Sequence, residues 1–354
     1  MEGTAAVVGS GPNGLAAAVV LARAGLKVTV WEAANTLGGA TRSARLLAPD
    51  AVTDLGSGVH PFGAASPVFN RLGLHRHGLE WVHPQIPMAH PLEGRPAALL
   101  ERSLAATRAG LGRDGQAWAA LHAGVVRNWD KVVPGVLGPL LRIPAHPLAM
   151  AGFGARGAWP AAALASAAFR DESARALFAG AAAHAVLPLS RPLTAAVGIL
   201  FGAAGHATGW PVAHSGSQAI ADALVADLTE HGGTVRTGVE VRDLAQVRPA
   251  DLVLLDLTPR QVLAIAGDEL PDRYARALAR WRYGTATYKV DYLLDGPVPW
   301  NDPRVQGAGT VHVGGTLRQV AQAEADVHAG RHPDRPFVLV AQQSAVDSTR
   351  VREG

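Results

Sequence analysis

Gly9-Ser10-Gly11-Pro12-Asn13-Gly14 decides how this chain is read. The apolar run Ala5-Ala6-Val7-Val8 before it predicts a buried strand, and Leu15 to Ala24, rich in Ala, Val and Leu, predicts a helix. Pro12 suits a first helical turn, where a missing N–H costs nothing, and Gly25 suits the residue just past the helix end. Lys27-Val28-Thr29-Val30-Trp31 predicts a second strand, which stops at Glu32. Strand, glycine turn, helix, strand and acid in this order are the dinucleotide fingerprint in the context it requires. Gly9 permits the tight turn, Gly11 lets the backbone approach a pyrophosphate, and Gly14 lets helix and strand pack closely. The helix N-terminus offers N–H groups and partial positive charge to the phosphates. Glu32, about 20 residues on, suits the ribose hydroxyls. Gly9, Gly11, Pro12, Asn13, Gly14 and Glu32 are thus binding candidates. The competing reading, a Gly-rich turn in an ordinary α/β unit, does not explain why the second strand ends on an acid.

Glu32 is followed by Ala33-Ala34-Asn35-Thr36-Leu37-Gly38-Gly39-Ala40-Thr41-Arg42-Ser43. An acid, a short loop and a Gly-Gly pair resemble the amine oxidase and phytoene desaturase superfamily of FAD-dependent oxidoreductases. The branch this stretch most resembles is that of the phytoene-dehydrogenase-related proteins, also called pyridine nucleotide-disulphide oxidoreductase domain-containing proteins. Most members carry Arg or Lys straight after Gly-Gly; here Ala40 stands there and the base comes at Arg42. The resemblance implies FAD as cofactor and adds Ala33, Gly38, Gly39, Thr41 and Arg42 to the binding candidates. It implies an α/β fold, with a discontinuous Rossmann-like FAD-binding domain (1–64 and 214–268) and an inserted α+β substrate domain (65–213 and 269–354). The residue matching Val241 would meet adenine through its backbone. His60, in Asp54-Leu55-Gly56-Ser57-Gly58-Val59-His60-Pro61, would pass near the flavin ring; the competing reading is a loop histidine bonded to backbone. Lys289 matches a lysine that reaches flavin N5 through a water in amine oxidases; the competing reading is a surface lysine paired with Asp291.

At 354 residues the chain is long enough for two domains with real cores. Net charge is +3 with no Lys/Arg block, so the composition offers no nucleic-acid footprint and the arginines read as a solvated surface. The absence of cysteine excludes disulfides, thiolate metal sites, a redox-active Cys pair and a Cys-linked flavin. The 14 histidines show no ligand spacing, so no metal site is expected. The N-terminus lacks a basic n-region and its apolar stretch contains the glycine turn, which reads as mature, cytoplasmic protein. Pro192 to Ala213 carries no Asp, Glu, Lys or Arg, but its prolines, four glycines and His206 favour a buried helix plus loop over a membrane span. A dip into the bilayer surface, with peripheral membrane contact, is the alternative for an enzyme with a lipophilic substrate.

Helices are predicted over Ala105–Trp129, Ala161–Phe169, Glu172–Ala183 and Leu317–His328, with Pro134, Pro139, Pro144 and Pro147 breaking any long helix between the first two. Ser215-Gly216-Ser217-Gln218 fits a capping box, and Ile220, Leu224 and Leu228 share one face of the helix that would follow. Short strands are predicted at Thr234–Thr237, Val239–Val241 and Leu252–Leu257, with Thr258-Pro259 starting a helix that ends near Gly267. Alternation from Tyr283 predicts a strand with Thr285, Thr287, Lys289 and Asp291 on one face; Gly309–Val313 and Pro336–Ala341 are further strands.

Family members run beyond position 354, and their C-terminal stretch closes over the flavin; no counterpart is seen, so a truncated chain with an open flavin site and weak FAD binding is expected. The leading functional expectation is hydride transfer from a small lipophilic substrate to FAD. The alternatives are an NAD-dependent dehydrogenase and an inactive scaffold.

Overall fold

The computed structural model describes residues 3–139 and 143–351; the last of the polar C-terminal residues, 352–354, lie outside it. The strands of its two larger sheets are β1 (Thr4–Val8), β2 (Lys27–Trp31), β3 (Ile86–Leu92), β4 (Arg95–Leu100), β5 (Thr234–Arg236), β6 (Leu252–Leu255), β7 (Ala308–Val313) and β8 (Val338–Ala341). The helices that position them are α1 (Pro12–Arg23), α2 (Glu172–Ala183), α3 (Thr194–Ala207), α4 (Gln218–Glu230), α5 (Pro259–Ala266) and α6 (Leu317–His328).

The first sheet runs β6-β1-β2-β5 and every pair is parallel, with Ala5 opposite both Leu252 and Val28, and Thr29 opposite Thr234. Parallel strands need cover on both faces, and their apolar runs supply it. On one face Val7, Leu15, Val19, Val28, Val30, Ile220, Leu224 and Leu228 form a core under α1 and α4. On the other, Ala6, Val8, Val241 and Val247 pack with Trp31, Val253 and Ile265. Arg23 of α1 clamps the fully buried Asp227 of α4 through two nitrogens, at 2.7 and 3.0 Å. This is a mixed α/β fold with a Rossmann-like parallel sheet whose strands come from two distant parts of the chain.

The second sheet runs β8-β7-β3-β4, antiparallel at both edges and parallel between β7 and β3. Its large core holds Met88, Leu100, Trp118, Phe169, Phe178, Ile199 and Trp210. The Ala-rich α2 is buried over most of its length, because small side chains let it approach α3 and β3 closely. α3, the charge-free stretch, is a buried 14-residue helix, and among the described residues no helix is long and apolar enough to cross a membrane.

Most elements fall where the sequence places them; four do not. The predicted helix Ala105–Trp129 breaks into Leu104–Gly110 and Gly115–Arg127, and a third helix, Trp129–Val136, begins where it was to end. The break aims the buried Asp114 carboxylate at the N–H groups of Arg170 and Asp171. Val239–Val241 forms no strand, because Gly238 turns at φ +69° while Val239 N–H still reaches Glu32 O. The Ser215–Gln218 capping box is absent: Ser217 is the N-cap, and Ser215 has left-handed φ (+61°).

The strand predicted from Tyr283 is also absent. Residues 281–300 form neither helix nor strand and lie largely exposed, with Tyr288 92% and Tyr292 77% accessible. A period of two makes a strand only where a neighbour takes its backbone hydrogen bonds. β4 and β8 are the edges of the second sheet, and neither pairs with this segment.

Histidines are packed into the second core. His90 and His122 have no solvent exposure, and burial pushes them down to about 4 and about 3; burial also holds His312 well below the ordinary value. Nδ1 of His90 and of His312 both press on α2 at Gly180, where a Cβ would lie 2.8 and 2.5 Å from them. A histidine depressed in the folded state binds its proton first in the unfolded chain. Its contribution to stability is complete above pH 6.5 and is lost as pH falls toward the folded value, at about 1.4 kcal/mol per pH unit. Glu324, pushed up to about 7 by burial, works the other way, as one group against these three and His60, His83, His184 and His206, which burial also lowers. The melting temperature should therefore fall steadily from pH 7 to pH 5 and change little from pH 7 to 8. A flat profile over pH 5–7 in thermal melts would show that these rings are hydrated.

Candidate dinucleotide site

The site starts where β1 ends. Gly9 donates its N–H to Trp31 O at 2.8 Å and turns at φ +104°, a conformation open to glycine. A Cβ here would lie 2.4 Å from the Asp256 carbonyl oxygen, just past β6. Helix α1 follows, with Gly11 as N-cap and Pro12 in its first turn. At Gly14 a Cβ would sit 2.4 Å from Gly9 O, so strand end and helix start are in direct contact. Asn13 is exposed on that first turn.

Glu32 lies beside the turn at the end of β2. One carboxylate oxygen accepts the Ser10 hydroxyl at 2.5 Å and the Ser10 N–H at 3.0 Å; the other accepts Ala34 N–H at 2.8 Å. Burial alone would raise this carboxyl. The hydrogen bonds from Ser10 and Ala34, with the positive charge of Arg42, outweigh it and hold Glu32 below its ordinary value. The side chain is thus ionised, fixed and only half-buried, with acceptor lone pairs left over.

The loop after Glu32 folds back on the turn. Gly38 N–H donates to Ser10 O at 3.0 Å, and a Cβ on Gly39 would lie 3.0 Å from Gly11 Cα. The buried Thr41 hydroxyl donates to Gly38 O, and Arg42 Nε donates to Gly39 O, so both side chains help shape this loop. Ala33 is exposed at its start. Val241 is buried in the core on the far face of the sheet, in the segment that touches Glu32 O through Val239 N–H. The structure therefore gathers Gly9, Gly11, Pro12, Asn13, Gly14, Glu32, Gly38, Gly39, Thr41 and Arg42 at one end of the first sheet.

The two proposed catalytic residues do not join them as expected. Lys289 lies in the exposed 281–300 segment and its ammonium pairs with the Asp291 carboxylate. His60 is buried behind the loop: Nε2 meets Ser217 Oγ at 2.7 Å and the His60 backbone N–H donates to Pro211 O. Burial pushes this ring down to about 4, against the nearby Asp54, so it is neutral at pH 7.

Sequence reasoning passed over Asp256 and Arg350, and quoted Asp54 only as the start of the His60 segment. Asp256 Oδ2 accepts Gly14 N–H at 2.8 Å, so a carboxylate already satisfies one donor of the α1 N-terminus. An acid near the end of the apolar run Leu252–Leu257 was the available signal. Asp54 accepts the Ser43 hydroxyl, Ser217 N–H and Arg350 Nη1, all between 2.6 and 2.8 Å. Arg350 lies almost 300 residues away, and no local pattern marks it.

A fixed carboxylate, a close glycine turn and a helix N-terminus fit a ribose and a pyrophosphate. Residues 7–72 match the sequence model of the NAD(P)-binding Rossmann-like domain. A comparison with curated proteins found no match. Among solved structures, a Pyrococcus furiosus protein is similar over 99% of this chain and 77% of its own, at 16% identity and TM-score 0.58. An oxidoreductase from Methanosarcina mazei aligns over 78% of this chain and 65% of its own, at 17% identity and TM-score 0.51. A triple mutant of putrescine oxidase aligns over 78% and 63%, at 20% identity and TM-score 0.50. The chain thus spans a little under two thirds of the last two proteins, and the likeness is one of fold.

Gly9→Ala should destabilise the protein, because both the positive φ and the Asp256 carbonyl oppose a Cβ. The loss should be on the order of 2 kcal/mol or more in urea unfolding. A variant within experimental error of wild type would show that the turn relaxes freely.

Proposed function

We propose that the protein is an FAD-dependent oxidoreductase. The single observation that carries this reading is the Glu32 carboxylate, ionised and locked by Ser10 and Ala34 beside the Gly9–Gly14 turn. In the proposal its remaining lone pairs accept the adenosine ribose hydroxyls, and Gly11, Asn13 and the start of α1 face the pyrophosphate. The Gly38-Gly39 loop, pressed on Gly11, forms the next wall. The cofactor, when bound, supplies hydride acceptance, and the protein supplies placement and electrostatics. The oxidoreductase names of the Methanosarcina mazei and putrescine oxidase structures support the reaction class.

The substrate we propose is small and lipophilic, in the manner of the phytoene desaturase-like branch. Supporting it, Phe62, just past His60, packs edge-on to Phe201 at 4.8 Å, and Phe201 continues to His184 and Trp210. This aromatic layer leads from the nucleotide end into the second core. The proposal gives Lys289 no proton transfer, since Asp291 holds its ammonium in an exposed segment. The match of residues 7–72 to an NAD(P)-binding domain supports a second reading, in which the dinucleotide is a nicotinamide.

Titration of the purified chain decides between them. FAD fluorescence should quench on binding, while NADH fluorescence should change little. Glu32→Gln should weaken FAD binding about tenfold, because an amide is a poorer acceptor than a carboxylate, with the melting temperature nearly kept. NADH binding without FAD binding would establish the second reading. Glu32→Gln with unchanged FAD affinity would remove Glu32 from the site.

A further inference from the structure

Among the described residues Arg350 is the largest buried charged side chain, at 1% exposure. Its guanidinium reaches three elements at once. Nη1 donates to Asp54 at 2.7 Å, Nε to Asp347 at 3.2 Å, and Nη2 to the Ala213 carbonyl at 2.9 Å. Both carboxylates it bridges hold backbone on the other side. Asp347 accepts Ser215 N–H at 2.7 Å, and Asp54 accepts Ser217 N–H at 2.8 Å.

Those two N–H groups belong to a strained turn. Ser215 sits at φ +61° without being glycine, and Gly216 at φ +127°. Non-glycine residues keep such a conformation only where the surroundings enforce it, and strain of this kind collects at functional sites. The turn feeds α4, whose first residues stitch the nucleotide loop from behind. Gln218 N–H donates to Ser43 Oγ, itself a donor to Asp54, and Gln218 Nε2 donates to Leu37 O at 3.3 Å. Leu37 is followed by Gly38 and Gly39, which lie on Ser10 and Gly11. A continuous set of hydrogen bonds therefore runs from Arg350 to the glycine turn.

We propose that Arg350 is a positioning residue for the dinucleotide site. By bridging Asp54 and Asp347 it enforces the Ala213–Ser217 turn, and through Gln218 it sets the Gly38-Gly39 loop against Gly11. Arg350 follows β8, so the residue that shapes the nucleotide loop is delivered from the second sheet. Only a planar guanidinium with several donors spans both acids and the carbonyl; a lysine ammonium reaches at most part of this set. The inference rests on the dinucleotide reading of the site for its affinity readout, and on none of it for its backbone readout.

The test uses the full chain and separates position from stability. Arg350→Met leaves both Asp54 and Asp347 charged without the guanidinium and is expected to unfold readily. Adding Asp54→Asn removes one of the two charges, and the double variant should recover part of the melting temperature. Its affinity for FAD should still be lower by about tenfold or more, because nothing bridges the turn. Arg350→Lys, the conservative change, should also bind FAD more weakly, and the amides of Ser215, Ser217 and Gly38 should exchange faster with deuterium. Wild-type FAD affinity in a folded double variant overturns the proposal, as do unchanged affinity and exchange in Arg350→Lys. If the wild-type chain binds neither FAD nor NADH, the dinucleotide reading fails; unchanged exchange at those three amides in Arg350→Lys then also sinks the tether, and faster exchange supports it.

Discussion

At the end of β1 the backbone passes the end of β6 so closely that a Cβ on Gly9 would lie 2.4 Å from the Asp256 carbonyl oxygen. The rest of the nucleotide end follows from that approach. With no side chain at Gly9 or Gly14, helix α1 can start directly on the strand and aim its first N–H groups outward from the sheet. The neighbouring strand β2 then ends beside the turn, and Glu32 is caught there by Ser10 and Ala34. The carboxylate is oriented before any ligand arrives, and a group held in place loses little freedom on binding. Asp256 adds a second acid at the helix start, bonded to Gly14 N–H. Negative charge there stabilises the helix dipole, and it also occupies one donor of the anion-binding end.

A second constraint acts from the opposite side of the loop. A buried arginine between two buried carboxylates is costly to desolvate and strongly destabilising to break. Its value here is geometric. Asp54 and Asp347 would have to spread apart without Arg350, and the turn between them holds a non-glycine residue in left-handed conformation. The two sheets are therefore joined at the nucleotide loop by charge-assisted hydrogen bonds as well as by apolar contact.

The first sheet was legible because its signals are local and agree with one another. Strand, turn, helix, strand and acid occupy consecutive residues, and β2 and α1 begin where the sequence places them. α2 and α6 match their predicted bounds for the same reason, an unbroken run of helix formers between breakers. The strand at Tyr283–Tyr292 failed because alternation reports a two-sided segment and cannot report a pairing partner. The Ser215–Gln218 capping box failed because tertiary acceptors, Asp347 and Asp54, took the turn's N–H groups in place of the local side chains. Arg350 and Asp256 were passed over because the contacts that give them their place, Arg350 with Asp54 and Asp256 with Gly14 N–H, span more than 200 residues along the chain. Lys289 was named from its place on a strand, and without the strand that argument has no support.

The central claim is that Glu32 and the Gly9–Gly14 turn form a preorganised adenine dinucleotide site. A crystal of this chain grown or soaked with ADP, the half of the dinucleotide that this site would hold, tests it most directly. The account predicts density for the ribose with its hydroxyls on the Glu32 carboxylate and for the phosphates at the first turn of α1, with the Glu32 side chain unmoved. Well-ordered ADP elsewhere on the molecule, or a Glu32 that must leave Ser10 before ADP binds, would contradict it.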